Sequence, residues 1–155
     1  MLFMKIGDNK IVTINKWSLN IVVKSLISFS LLFIGGSIYL GWRSGNLVMF
    51  QLLDKYGFSE FLNSYRCLGT NYSIYDWIKY CMPDGLWLFS YMFLIDTIWD
   101  NHKCVSYYIF LWILPVIAII SELLQFIMIV PGTFDIMDLF CYLMAIIIFL
   151  ILKIF

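Results

Sequence analysis

Four apolar stretches of this chain approach the length needed to cross a bilayer, and they restrict it to folds that lipid can solvate. A helix rises about 1.5 Å per residue, so roughly 20 apolar residues cross the hydrocarbon core. The expected spans are 19–42, 85–99, 105–130 and 134–152. Lys24 lies near the start of the first span, where a long side chain snorkels to the headgroups. The second span is short and carries Asp96 near its far end, and Pro115 inside the third predicts a kink. Composition agrees. The 155 residues are 63% hydrophobic and 13% charged, and the mean hydropathy is +0.90. A soluble domain is about 45–50% apolar and about 25% charged. A core of this size cannot hide the excess. The expected fold is therefore an all-α integral membrane protein: one domain over 1–155, built as a four-transmembrane-helix bundle.

Lys5, Lys10 and Lys16 precede the first span as they would in a signal peptide. The apolar stretch is too long for one, and no A-x-A-like cleavage site follows it, so an uncleaved helix is expected. The segment 43–83 has another character. Leu47, Phe50, Leu52 and Leu53 give a short amphipathic pattern broken by Gly57. Tyr56, Phe58, Phe61, Tyr65, Tyr72, Tyr75, Trp77 and Tyr80 make it dense in the aromatics that favour a bilayer interface. An interfacial or re-entrant segment between helices 1 and 2 is expected, with a plain polar loop as the alternative.

Ten basic residues balance ten acidic ones, and no basic patch suggests nucleic acid. Cys67, Cys81, Cys104 and Cys141 form no CxxC pair, so a zinc site is not expected, and the single histidine, His102, cannot supply a His-rich metal site either. Lys5, Lys10, Lys16, Lys103 and Lys153 fall on one side of a four-span topology, against Arg43, Lys55, Arg66 and Lys79 on the other. The balance favours both termini in the cytoplasm. Cys67 and Cys81 then face the oxidising side, as a disulfide or as two free thiols.

The same topology gathers acidic residues at the outer face. Asp84 opens the second span, and Glu122 lies eight residues before Val130, about 12 Å below the rim. Asp135 and Asp138 start the fourth span, and Arg43 ends the first. Glu122 and Gln125 are i and i+3 and share a helix face, as do Asp135 and Asp138. The turn Pro131-Gly132-Thr133 folds one pair onto the other. Thr133 is an expected helix cap with Asp135 in the first turn, which is also the purely structural account of Asp135. Asp84, just after Pro83, has a similar account as a helix-start residue. Glu122 resists one, because an unpaired carboxylate in an apolar run costs several kcal/mol. Asp96, Asp100, His102 and Lys103 read as interfacial anchors at the inner edge. Carboxylates in a half-buried pocket suit three uses. They bind a divalent cation, with Glu122, Asp135 and Asp138 as ligands. They supply a general acid or base. They bind a cationic or polyhydroxylated head group.

The stretches Pro83-Asp84-Gly85-Leu86-Trp87, Ser121-Glu122-Leu123-Leu124-Gln125 and Gly132-Thr133-Phe134-Asp135-Ile136-Met137-Asp138-Leu139 resemble the VanZ-like membrane family. That family has an acid opening one helix, an E-x-x-Q pair late in the next and a D-x-x-D pair opening the last. The likeness covers about residues 83–145. It implies a small helical bundle of the bacterial inner membrane, linked to glycopeptide resistance and to chemistry on lipid head groups or lipid-linked glycans. The family's Lys and His after the first Asp are replaced here by Gly85 and Leu88, and its turn Arg by Pro131-Gly132-Thr133. Tyr142 and Ala145 stand where its last helix has Asn and Gly. Carried onto this chain, the likeness makes Glu122, Asp138 and Asp84 the candidate catalytic residues, with Asp135, Gln125 and Arg43 holding the head group. The alternatives are an assembly protein whose polar residues only pack helices, and a small proton-coupled transporter. The transporter is disfavoured by the lack of paired repeats.

Overall fold

In lipid, backbone N–H and C=O groups have no water to bond, so a spanning chain satisfies them within its own helices. The computed structural model describes residues 2–43, 48–70, 75–99 and 102–154, and all the regular structure among them is helical. The helices are α1 (Leu2–Trp42), α2 (Val48–Lys55), α3 (Ser59–Thr70), α4 (Asp76–Tyr80), α5 (Met82–Trp99), α6 (Val105–Phe126) and α7 (Ile136–Ile154). The side chains of Lys5, Lys10, Lys16 and Cys67 lie outside the described residues, as do Leu47, Tyr72 and Asp100.

Three helices are long and apolar enough to cross a membrane, over Ile21–Trp42, Val105–Phe126 and Ile136–Lys153. This is a helical membrane protein, and its outer surface carries many exposed large apolar side chains, such as Phe33, Ile109 and Ile147. The expected second span, α5, is not among the three. It is an 18-residue helix containing Asp84, Ser90, Asp96 and Thr97. It holds the centre, packing on α1, α6, α7 and α4, and its polar residues meet protein. The third expected span ends early, at Phe126. There the chain leaves the helix through a turn in which Met128 takes a positive φ of 58° and its N–H bonds Gln125 O at 3.0 Å. α6 runs on through Pro115, which is buried.

α1 and α5 are antiparallel. Ser90 Oγ donates to Ser28 O at 2.7 Å, and Trp87 Nε1 donates to Leu32 O at 3.3 Å. Small residues let the backbones approach. A Cβ on Gly35 would stand 2.8 Å from Trp87 Nε1 and 3.2 Å from Pro83 O, and one on Gly85 would stand 3.1 Å from Cys141 O in α7. Leu88, Met92, Tyr107, Leu111, Ala145 and Phe149 close the core between α5, α6 and α7.

The segment between α1 and α5 forms short helices rather than a plain loop. Gly57, at φ 81°, turns α2 into α3. Each of the two buries an apolar residue, Phe50 and Leu62, while Leu52, Phe58 and Phe61 stay exposed. α3 is fixed to α1, where Tyr65 Oη donates to Ser37 O at 3.2 Å.

Gly35 and its neighbour Gly36 make a paired test. A Cβ on Gly36 meets nothing within 4 Å. Gly35→Ala is expected to destabilise the fold by about 1–3 kcal/mol through overpacking. Gly36→Ala is expected to be neutral or to stabilise by up to about 1 kcal/mol through helix propensity. Denaturation in mixed micelles followed by circular dichroism reads the difference, and equal effects would contradict the α1–α5 contact.

Candidate functional site

The end of the bundle where α1 finishes, α5 starts, α6 finishes and α7 starts gathers the polar residues. Pro83 sits in the first turn of α5, where its lack of an N–H costs nothing. Asp84 follows in the same turn, favoured by the helix dipole. Glu122 lies one turn before the end of α6 and is only 5% exposed. Gln125 follows on the same face. The return turn lies directly on Gln125, because a Cβ on Gly132 would stand 2.7 Å from Gln125 Cδ. Gly132 also has φ 147°, a conformation that L side chains rarely adopt.

The cap of α7 differs from the expectation. Asp135, not Thr133, caps the helix, accepting the Met137 N–H at 2.9 Å on Oδ1. Helix geometry starts only at Ile136, which places Thr133 too far back. Asp138 sits in the first turn. Arg43 is fixed by its neighbours. Its Nη1 donates to Tyr80 O at 3.2 Å, and its guanidinium lies 5.5 Å from the Tyr39 ring centroid and 5.3 Å from that of Tyr80. Arg66 Nη2 in turn donates to Arg43 O.

These parts enclose a cavity of about 480 Å³ lined by Arg43, Tyr80, Asp84, Glu122, Gln125, Gly132, Thr133, Asp135 and Asp138. All six residues expected from sequence line this one cavity, so the helices deliver their acids together. Glu122 Oε2 and Asp138 Oδ1 are buried and accept no hydrogen bond. Such groups are costly unless something else engages them.

Sequence reasoning missed Tyr80 and Cys81. Cys81 is 2% exposed at the junction of α4 and α5. Its Sγ lies within 4.8 Å of carboxylate oxygens of Asp135 and Asp138. Its position three residues before Asp84, i and i+3, was the available signal. Cys81 is a free thiol, the second of the two states the sequence left open for it, and the side chain of Cys67 lies outside the described residues.

The opposite end also has a polar cluster. Asp96 is more than an interfacial anchor: Lys153 Nζ stands 3.2 Å from its Oδ1, and Tyr107 Oη donates to it at 2.6 Å. Lys153 also reaches Tyr107 Oη. His102 and Lys103 are exposed, as an anchoring role requires.

No family model matches the chain, and no curated protein or solved structure is significantly similar to it.

The two described thiols outside the membrane spans are set in opposite ways. Burial pushes the Cys81 thiol up, and the nearby Asp138 carboxylate adds to this. Cys104, at the N-terminus of α6, is exposed and held below its ordinary value, chiefly by the Tyr107 backbone N–H. The raised thiol stays protonated at neutral pH, and the lowered one is more often thiolate. In single-cysteine variants in detergent at neutral pH, maleimide is expected to label Cys104 at least about tenfold faster than Cys81. Equal rates would contradict the burial of Cys81.

Proposed function

We propose that the chain is a VanZ-like protein of the bacterial inner membrane. It seats the polar head of an amphiphile, a lipid or a lipid-linked glycan, in the acidic cavity at the outer leaflet. The observation that carries this reading is the concentration of four carboxylates and a fixed guanidinium around one cavity at the end of an apolar bundle. The order and spacing of Asp84, Glu122-x-x-Gln125 and Asp135-x-x-Asp138 support it. α5 serves as the fourth crossing. Its 18 residues reach about 27 Å, close to the thickness of the hydrocarbon core. Both termini then lie in the cytoplasm, in keeping with the distribution of lysines and arginines.

An apolar groove favours an amphiphile over a soluble ligand. A cavity of about 430 Å³, lined by residues such as Leu31, Gly85, Phe89, Cys141 and Met144, opens between α1, α5 and α7. It meets α5 beside Asp84 and α7 one turn from Asp138, so a tail lying there leaves its head near the carboxylates. In this reading Glu122 exchanges a proton with the head group or binds it, Asp84 and Asp138 complete the site, and Asp135, Gln125 and Arg43 orient the head. The Asp135 cap bond favours a second reading for that residue, a purely structural one.

Glu122→Gln preserves volume and removes the charge. Native mass spectrometry of the detergent-purified chain is expected to show at least about tenfold less retained amphiphile, a loss of about 1.4 kcal/mol, at unchanged melting temperature. Unchanged retention removes Glu122 from the site. If Glu122 only packs helices, Glu122→Ala lowers the melting temperature and leaves retention as it was.

A further inference from the structure

We infer that Cys81, Asp135 and Asp138 form a binding site for a borderline-soft divalent cation of the zinc class, with Glu122 beside it. The three residues come from separate places, the α4–α5 junction, the cap of α7 and its first turn. One ligand atom from each lies within 4.8 Å of the other two. Ligands around a tetrahedral ion stand roughly 3.5 Å apart, so the set closes on one with side-chain shifts of about 1 Å. An acidic cluster is not by itself a site. A second observation points to a cation here: Glu122, only 5% exposed, carries a buried oxygen with no donor and lines one cavity with Asp135 and Asp138, and Asp138 Oδ1 has no donor either.

Charge points the same way. Four carboxylates line the cavity against one guanidinium, whose Nη1 is already bonded to Tyr80 O and whose plane lies near two aromatic rings. The donor set selects the ion. Carboxylates alone suit magnesium or calcium, whereas a thiolate with two carboxylates suits zinc or its neighbours in the first transition row. The set expected from sequence, Glu122, Asp135 and Asp138, lacked the sulfur. Cys81 Sγ already stands within 4.8 Å of an Asp138 oxygen, and the incoming cation displaces the thiol proton to solvent, so binding strengthens as pH rises. Three protein ligands leave a position open, where an oxygen of an anionic head group completes the shell. That use rests on the head-group reading above, while ion binding does not.

The test takes the full chain in detergent, stripped with a chelator and titrated with Co²⁺ alone as a spectroscopic stand-in for Zn²⁺. The expected result is a thiolate-to-cobalt charge-transfer absorption that saturates at one ion per chain and disappears on adding Zn²⁺. Cys104→Ser is expected to leave it unchanged and Cys81→Ser to abolish it. Asp135→Asn, which keeps a helix-capping side chain, is expected to weaken binding at least tenfold. Absence of the band in the wild-type chain, or its persistence in folded Cys81→Ser, overturns the site. If Cys81→Ser does not fold, Asp135→Asn decides, and unchanged Co²⁺ affinity overturns the site. A chain that binds Co²⁺ as described but retains no amphiphile defeats the head-group reading alone. Retention of amphiphile without Co²⁺ binding defeats the ion site alone.

Discussion

Lipid tails solvate leucine and isoleucine as well as a neighbouring helix does, so apolar surface alone gives these helices little reason to associate. Shape and polar contact must hold them, and both concentrate on α5. Its backbone comes close to α1 at Gly35 and to α7 at Gly85, and buried Ser90 bonds across to Ser28 O. Dispersion between closely approached backbones and a few hydrogen bonds made away from water replace the drive that a soluble core would supply. α5 can carry two aspartates and remain inside the bundle because its neighbours, not lipid, surround it.

That arrangement also explains where the charge collects. With α5 enclosed, the polar ends of α1, α6 and α7 crowd around its first turn, and the tight return between α6 and α7 folds Gln125 beneath Gly132. Groups that would each be expensive in lipid share one recess. Some are satisfied locally: Asp135 by the first turn of α7 and Arg43 by Tyr80. Glu122 Oε2 and Asp138 Oδ1 are not. The division is informative, since satisfied groups account for architecture and unsatisfied ones keep capacity for a ligand.

Periodicity and hydropathy made the helical membrane class legible, and turn count alone placed Asp84, Glu122, Asp135 and Asp138 at one end. Both follow from one-dimensional rules, rise per residue and alternation of sides. The cap of α7 was misread by two residues, since the i to i+2 bond from Asp135 depends on where the turn releases the chain, and the positive φ values at Met128 and Gly132 set that point. The span ending at Phe126 was drawn too long for the same reason. Cys81 was passed over because its proximity to Asp138 arises from α5 packing on α7, a contact between distant parts of the sequence. Asp96 looked like a surface anchor because its partners, Tyr107 and Lys153, are 11 and 57 positions away.

The Asp96–Tyr107–Lys153 cluster has a mechanical consequence. It ties the last turn of α7 to α5 and α6 at the end of the bundle farthest from the cavity, so α7 is pinned there like a lever at its fulcrum. Asp138 stands fifteen residues up that arm, about 22 Å away. A tilt of only about 2.5° around the pivot carries its carboxylate roughly 1 Å while Phe149 hardly moves. A displacement of that size would be enough to tighten or loosen the acidic recess, and the close approach of α5 to α7 at Gly85 sets its limit.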